Sequence, residues 1–391
     1  MRIAPTVIAF ASFVTAAAPA HADGVDFIKD AKLYYRVVAC KGGDALPANF
    51  DAAVVDKHCA EQTKRYERLT QKYLVPAQAF FAGVRPATVP TTVVYPFGGG
   101  DLLSALITFP DAREITTISL EHAGDPTRLA LLDTKSKLAT ALANYRNASS
   151  GLLSLHDSTS ENMRKLEQGA IPGQLAFHLT GMAANGYEPI SLKYFKFTED
   201  GKIQYLTQPD IDAMSATRAR KVKGSWVDTD WSEAYNHMEL TMRKAGDAKA
   251  PLVVHRHIAW NLGNKAFAGS PLDKHLAAKG KVGAMTKAAS YLIWVDGFSK
   301  VRDYLLANMV WMASDATGIE NRAAKKAGFE QVTYGKFNGA FLEEASKSVS
   351  ASMAKLWSSQ PYRKLPFRYG YPDSEGNIHL MITKPAEQAA K

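Results

Sequence analysis

Residues 91–126 read TTVVYPFGGGDLLSALITFPDAREITTISLEHAGDP, and the order of elements in this stretch decides the fold class. Residues 91–95 are rich in β-branched and aromatic side chains, which is typical of a buried strand. Three glycines then form a turn, Asp101 is placed to cap a helix over residues 102–108, and residues 115–120 form a second strand. Strand, glycine turn, helix and strand in this order predict a βαβ unit of a parallel sheet.

The C-terminal third of the chain repeats this order. Residues 289–295 predict a strand, 296–299 a turn, 300–308 a helix and 310–313 a strand, and an Asp/Gly loop follows at 315–318. Two such units either face each other across one cleft or lie side by side in one sheet. We therefore predict an α/β fold with a mainly parallel, Rossmann-like sheet and flanking helices.

The N-terminus has the pattern of a cleavable secretory signal. Arg2 precedes an apolar run, and Ala20 and Ala22 provide the small-x-small pattern that signal peptidase requires. The alternative is an uncleaved membrane anchor, but the run is shorter than the roughly 20 residues of a spanning helix. We expect cleavage near Ala22 and a periplasmic or secreted protein. The chain is predicted to divide into a signal peptide (1–22), an N-terminal helical segment (23–90), an α/β domain (91–384, with 91–206 and 252–384 as candidate halves) and a disordered tail (385–391).

Composition narrows the class of partner. Hydrophobic residues make up 46% of the chain, which is typical of a globular core, and no stretch after the signal is long and apolar enough to span a membrane. The net charge is +9, but the tight basic clusters are confined to residues 218–223 and 325–326. Because no nucleic-acid-binding motif accompanies them, we predict no nucleic-acid partner. The oligomeric state is left open.

The two cysteines, Cys40 and Cys59, lie close to the mature N-terminus. In an oxidising compartment two such thiols most simply form a disulfide, and we predict this pairing. Two free buried thiols, or a metal site that includes the neighbouring His58, are the alternatives.

A ligand site is predicted where the first βαβ unit turns. Glycines let the backbone approach a ligand, the helix N-terminus offers N–H groups, and an acid such as Glu121 about 20 residues later commonly accepts ribose hydroxyls. Three consecutive glycines are not GxGxxG, however, and Asp101 would place an anion where a phosphate should lie. We therefore assign no cofactor, and a purely structural turn is the alternative. The predicted ligand-binding residues are Gly98, Gly99, Gly100, Asp101, Glu121, Asp315 and Thr317.

Other catalytic patterns are sparse. His255 and His257 lie on one face of a predicted strand, where they either hold a metal with an unidentified third ligand or pack as ordinary polar residues. The chain has no GxSxG and no HExxH motif, so nucleophilic and zinc-protease chemistry find no support. If the protein is an enzyme, Asp101 and His122 are the candidates for its acid or base.

Six short motifs occur in an order that resembles an uncharacterised group of exported bacterial proteins. The first motif of that group reads closer to YPFSGPD and a late one closer to DDSGIP, so Gly98, Gly100, Ser314 and Ala316 depart from the pattern. The group has no established activity, and the resemblance implies only that Asp101 and residues 315–318 belong to motifs. The motifs are YPFGGGD (95–101), IPGQLAFHLTGMAANGYEPI (171–190), KAASYL (287–292), SDATGI (314–319), YGKF (334–337) and LPFRYGY (365–371).

Together these features predict an exported protein that binds a small polar ligand at the strand ends near Gly98–Asp101 and Glu121. Whether it is an enzyme is left open. The competing hypothesis is a non-catalytic envelope protein that engages a partner or a cell-wall polymer. A methyltransferase of cytoplasmic type is disfavoured, because its donor is not expected outside the cytoplasm.

Overall fold

The computed structural model describes residues 24–154, 166, 171–216, 232–339, 347–369 and 378–386. The predicted signal peptide and residues 387–391 of the predicted tail lie outside the described residues. Pro385, which was assigned to that tail, is the last residue of a strand.

One continuous sheet of ten strands forms the centre of the described structure. Its order is β4-β3-β5-β6-β2-β1-β7-β8-β10-β9. The five strands from β6 to β8 are mutually parallel, and the strands on both flanks are antiparallel. The strands are β1 (Thr92–Pro96), β2 (Glu114–Ser119), β3 (Tyr187–Phe197), β4 (Ile203–Tyr205), β5 (His237–Lys244), β6 (Val253–Ala259), β7 (Val282–Thr286), β8 (Met309–Ser314), β9 (Phe329–Gly335) and β10 (His379–Pro385).

The sheet is therefore mixed, and the prediction of a mainly parallel sheet holds only for its middle. Four of the nine strand pairs described are parallel and five are antiparallel. On one flank, β3 pairs with β4 and β5 pairs with β6 in antiparallel orientation, because the connections within these two pairs are too short to cross over the sheet. The hairpin of β3 and β4, for example, turns within a few residues at Gly201, whose φ of +83° suits glycine.

Helices cover both faces of the sheet. Alternate residues of β1 separate the two cores, since Val93 and Tyr95 join the first core and Val94 the second. The helices described are α1 (Ile28–Val37), α2 (Ala52–Leu69), α3 (Val75–Val84), α4 (Leu102–Thr108), α5 (Lys135–Ser154), α6 (Gly173–Ala184), α7 (Gln208–Ala216), α8 (Asn264–Phe267), α9 (Pro271–Ala277), α10 (Ser299–Asn308), α11 (Asn321–Lys326) and α12 (Lys347–Ser358).

The first βαβ unit forms as its sequence predicts. Strands β1 and β2 pair in parallel, and α4 connects them. The Asp101 carboxylate accepts the backbone N–H of Ser104 at 3.1 Å and so caps α4. Every residue of α4 is buried, because the helix lies between the sheet and α6.

The second unit differs from its prediction. Residues 289–295 were expected to be a strand, but a 3₁₀ helix (Ala288–Trp294) covers most of them, and the strand lies just upstream at Val282–Thr286. A short apolar run does not distinguish a buried strand from a buried helical turn by periodicity alone. Both units contribute strands to the same sheet, side by side, because β1 of the first pairs with β7 of the second.

The N-terminal segment is helical and packs on the first core. A disulfide joins Cys40 to Cys59, with Cα atoms 5.2 Å apart, which confirms the predicted pairing. Among the described residues, no helix combines the length and apolarity needed to cross a membrane.

Candidate functional site

The chain diverges at the carboxyl ends of two neighbouring strands, β1 and β7. From β1 it passes through α4, which packs in the first core, to β2. From β7 it passes through α10, which packs in the second core, to β8 on the other side. Open α/β sheets bind ligands at such a point, because the connections on opposite faces leave a crevice between them.

Lys287, the first residue after β7, lies at this point. Its Nζ donates to Oδ2 of Asp101 at 3.1 Å and to Oγ of Ser104 at 3.2 Å. The Tyr95 hydroxyl also donates to Oδ2 of Asp101, at 3.2 Å. The ammonium group additionally lies 5.1 Å from the ring centre of Tyr369.

We call this group the lysine cluster. Tyr73 completes it, since its hydroxyl donates to Oγ of Ser104 at 3.1 Å. The Tyr369 hydroxyl is buried and has no hydrogen-bond partner among the described residues. The cluster consists of Tyr73, Tyr95, Asp101, Ser104, Lys287 and Tyr369.

Electrostatics keep Lys287 charged. Burial lowers the pKa of Lys287, but the charge and hydrogen bond of Asp101, together with Tyr73 and Asp315, outweigh burial, and the pKa lies above its ordinary value. Burial raises the pKa of Tyr95 well above its usual range, and the charges of Asp101 and Asp315 raise it further. At neutral pH the cluster therefore holds an ammonium group beside phenols that keep their protons.

Asp315 and Thr317 lie at the carboxyl end of β8, at the same edge of the sheet as Lys287, because β7 and β8 are parallel. The Asp315 carboxylate accepts from the backbone N–H of Thr317 at 2.8 Å and from its hydroxyl, and Thr317 also bonds Ser290. Asp315 acts electrostatically on Lys287 and Tyr369. Of the predicted residues, Asp101 therefore contacts Lys287 directly, and Asp315 acts on it electrostatically.

The three glycines at 98–100 are buried. A Cβ on Gly98 would lie 2.9 Å from the Tyr95 ring, and one on Gly100 would lie 2.9 Å from Cβ of Phe177. Gly99 has a φ of +47°. The backbone at Gly98 and Gly100 therefore packs against protein side chains, which is compatible with the predicted alternative of a structural turn.

Glu121 and His122 lie elsewhere, beyond the carboxyl end of β2. The backbone carbonyl of Glu121 accepts from Nε2 of His257 at 2.7 Å. Burial lowers the pKa of His122 to about 4, and repulsion between the protonated forms of His122 and His257 adds to this effect. These two predicted residues are grouped with the histidines of β6 by these contacts.

The histidines form a second buried group, which we call the histidine cluster. It joins β6 to α6, because the ring of His178 lies 4.4 Å from that of His255 and 5.2 Å from that of His257, measured between centroids. Neither the sequence pattern of α6 nor its spacing from β6 indicated His178. The cluster consists of Thr117, Gln174, His178, His255 and His257, all of them buried.

Burial keeps these imidazoles neutral. It holds the pKa of His178 and of His255 well below the usual value, and it lowers the pKa of His257 to about 4. Neighbouring imidazoles add to the effect at His178 and His255. Three uncharged rings at neutral pH offer lone pairs, which can accept hydrogen bonds or coordinate a metal.

The group of side chains with the spacing of a metal site includes both disulfide-bonded cysteines. Within the part of the chain that the structure describes, one group of three metal-ligating side chains has its ligand atoms within 4.8 Å of one another: Cys40, His58 and Cys59. Both sulfurs of this group are joined in the disulfide, and Arg146 donates to Nδ1 of His58 at 3.2 Å. The disulfide therefore occupies this position, and the alternative of a metal there is disfavoured.

Lys287 and Tyr369 did not emerge as site residues from the sequence. Lys287 lies in the motif KAASYL and Tyr369 in the motif LPFRYGY, and Tyr95 and Asp101 lie in a third motif of the resemblance. The occurrence of these motifs in one chain was the sequence signal that could have indicated Lys287 and Tyr369 as site residues. Comparison of the chain with protein-family models, with curated proteins and with solved structures finds no match. The assignment of a function therefore depends on the geometry of the two clusters.

Proposed function

We propose that this is an exported protein that binds a small polar ligand in the crevice between the carboxyl ends of β1 and β7, with the lysine cluster at its base. The observation that carries the proposal is the buried ion pair of Lys287 and Asp101 at the point where the chain diverges. A buried ion pair contributes little net stability compared with apolar packing. Its position where the connections from β1 and β7 diverge to opposite faces of the sheet therefore favours a role in recognition.

The cluster presents complementary hydrogen-bonding groups. Lys287 and the Tyr369 hydroxyl are donors and the Asp101 carboxylate is an acceptor, and the carboxylate of Asp315, which acts electrostatically on the cluster, adds a second acceptor. A small molecule with both hydroxyl or amino donors and carboxyl or carbonyl acceptors suits this set. Next to the glycines, Phe97 adopts a φ of +59°, a conformation that non-glycine residues seldom take and that is often found near functional sites.

Export is supported by the N-terminal pattern and by the Cys40–Cys59 disulfide, because such bonds persist in oxidising compartments. The acid–base roles considered for Asp101 and His122 fall at two separate places, since His122 lies beside His257. Asp101 is held by Lys287 and Tyr95, which suits fixing a ligand in place. We therefore propose binding and assign no reaction.

A ligand screen by thermal unfolding tests the proposal. The mature chain is scanned against amino acids, sugars, hydroxy acids and cell-wall precursors of the envelope. A ligand at 100 times its Kd stabilises the folded protein by about 2.7 kcal/mol and raises Tm. The double variant K287M/D101N removes both charges without leaving one unpaired, and K281M removes an exposed lysine as a matched control.

The proposal predicts a ligand that raises the Tm of the wild type and of K281M but not of K287M/D101N. A ligand that stabilises all three proteins equally binds outside the crevice and contradicts it. Absence of any stabilising compound, together with retention of the protein on insoluble cell wall, favours the alternative of a protein that engages a polymer.

A further inference from the structure

The hydroxyl of Tyr369 differs from those of the other two tyrosines in the lysine cluster. Tyr73 donates to Oγ of Ser104 at 3.1 Å, and Tyr95 donates to Oδ2 of Asp101 at 3.2 Å. Tyr369 is only 1% exposed, and its hydroxyl has no hydrogen-bond partner among the described residues. A buried hydroxyl without a partner lowers the stability of the folded protein and is uncommon in native structures. Of the three hydroxyls, that of Tyr369 is therefore the one whose hydrogen is available to a ligand.

Aromatic packing holds the ring of Tyr369 in place. Its centroid lies 6.1 Å from that of Phe81 and 6.2 Å from that of Phe367, and both pairs are edge to face. The ammonium group of Lys287 lies 5.1 Å from the same ring centre. A hydroxyl on a fixed ring is oriented before a ligand arrives, so that binding costs less conformational entropy.

Electrostatics define what this hydroxyl can bind. Burial raises the pKa of Tyr369 well above its usual range, and Tyr73, Asp315 and Asp101 raise it further, so the hydroxyl keeps its proton and acts as a donor. The two carboxylates have this effect because they disfavour a negative charge at the oxygen. They disfavour an anionic ligand group beside it for the same reason. An uncharged carbonyl oxygen meets no such repulsion.

We infer that the Tyr369 hydroxyl donates a hydrogen bond to an uncharged carbonyl oxygen of the ligand, which is therefore an amide or an ester and not a free carboxylate or phosphate. This inference rests on the proposed function and narrows the chemical class of the ligand at the same site. The ion pair of Lys287 and Asp101 agrees with it. The carboxylate of that pair already balances the ammonium group, so the pair offers no net positive charge to an anion.

The stability of the ligand-free protein gives the first test. Y369F removes a hydroxyl that bonds nothing, so its midpoint of urea unfolding should equal or exceed that of the wild type. Y66F is the matched control, because Tyr66 is also buried but its hydroxyl donates to the carbonyl of Ala39 at 3.1 Å. The midpoint of Y66F should fall, since this variant leaves a carbonyl without its donor. A midpoint of Y369F below that of the wild type shows that the hydroxyl is already bonded and overturns the inference.

Matched pairs of small molecules give a second test, which needs only the wild type. Lactamide is compared with lactate, glycolamide with glycolate, and N-acetylglycinamide with N-acetylglycine, by thermal unfolding over a range of concentrations. At least one uncharged amide should raise Tm at a lower concentration than its acid does. A preference for the acid in every pair, or no stabilisation by any of these compounds, overturns the inference.

Variants separate this inference from the proposed function. Y369F should weaken binding of the amide about 2–13-fold, the loss expected for one uncharged hydrogen bond, and Y66F should bind it as the wild type does. An amide that stabilises the wild type and Y369F equally, but not K287M/D101N, overturns the inference and leaves the proposed function intact. An amide that stabilises K287M/D101N as much as the wild type binds elsewhere and contradicts both.

Discussion

Nζ of Lys287 lies 3.1 Å from Oδ2 of Asp101, although 186 positions separate the two residues in the chain. This contact joins the residue that follows β7 to the residue that caps α4 after β1. It therefore ties together the two connections that leave the sheet on opposite faces. The side chains of both residues are almost fully buried, with 13% of Lys287 and 7% of Asp101 exposed, so the pair is only weakly screened by solvent.

Removal of the lysine charge should destabilise the protein strongly. K287M leaves the Asp101 carboxylate buried without its cation, and breaking a buried pair in this way costs about 3–5 kcal/mol. D101N leaves Lys287 unpaired instead but keeps a side chain that can cap α4. Urea unfolding of both single variants and of the double variant measures the coupling.

The double variant should recover part of the loss, because it leaves no unpaired charge. Strict additivity of the two single losses would show that Lys287 and Asp101 do not interact.

The disulfide should stabilise the N-terminal segment. Closing a loop of 19 positions between Cys40 and Cys59 contributes about 3 kcal/mol in the chain-entropy account. Dithiothreitol should therefore lower the free energy of unfolding of the wild type by about this amount. The C40A/C59A variant should start at the lower value and should not respond to the reductant; a response in that variant contradicts this explanation.

Stability should fall in mild acid because of buried histidines. Burial and the charge of Arg146 lower the pKa of His58 to about 4, although its bond to the Val38 carbonyl opposes this. The unfolded state, with a pKa near 6.5, therefore binds more protons than the folded state between about pH 6.5 and 4. The contribution of His58 is complete above pH 6.5 and is lost as the pH falls toward 4.

The slope of stability against pH isolates this contribution. One histidine contributes at most about 1.4 kcal/mol per pH unit in that window. Urea unfolding of H58Q from pH 7.5 to 4.5 should show a shallower decline than the wild type by up to this amount. Parallel curves for the two proteins would exclude His58 as a titrating group.

The sequence predicted the first βαβ unit well because its signals are local. The β-branched residues of β1, the glycine turn and the Asp101 cap each act within a few positions of the chain. In the second unit the strand was predicted at the wrong place, since the apolar run at 289–295 matched a strand as well as the 3₁₀ helix that Ala288–Trp294 forms. The antiparallel flanks were not predicted, because tertiary contacts between distant parts of the chain decide which strands pair there.

The candidate sites were predicted only in part for the same reason. Asp101 and Asp315 were found from their places at strand ends, but Lys287 joins them through a contact across the sheet. His255 and His257 were paired by their spacing on one strand, whereas His178 reaches them from α6. Spacing reveals neighbours on one element, and it does not reveal which helix covers them.

Because α4 packs closely against α6, replacement of a glycine by alanine should have opposite effects on stability in α3 and in α6. In a helix, replacement of glycine by alanine ordinarily stabilises by up to about 1 kcal/mol. G83A in α3 should follow this rule, because a Cβ there meets nothing within 4 Å. G181A in α6 should instead destabilise by about 1–3 kcal/mol, because its Cβ would lie 2.7 Å from the backbone nitrogen of Leu103 and force the helices apart. Urea unfolding of the two variants measures both changes, and a G181A protein as stable as G83A would show that the contact between these helices is looser than the structure has it.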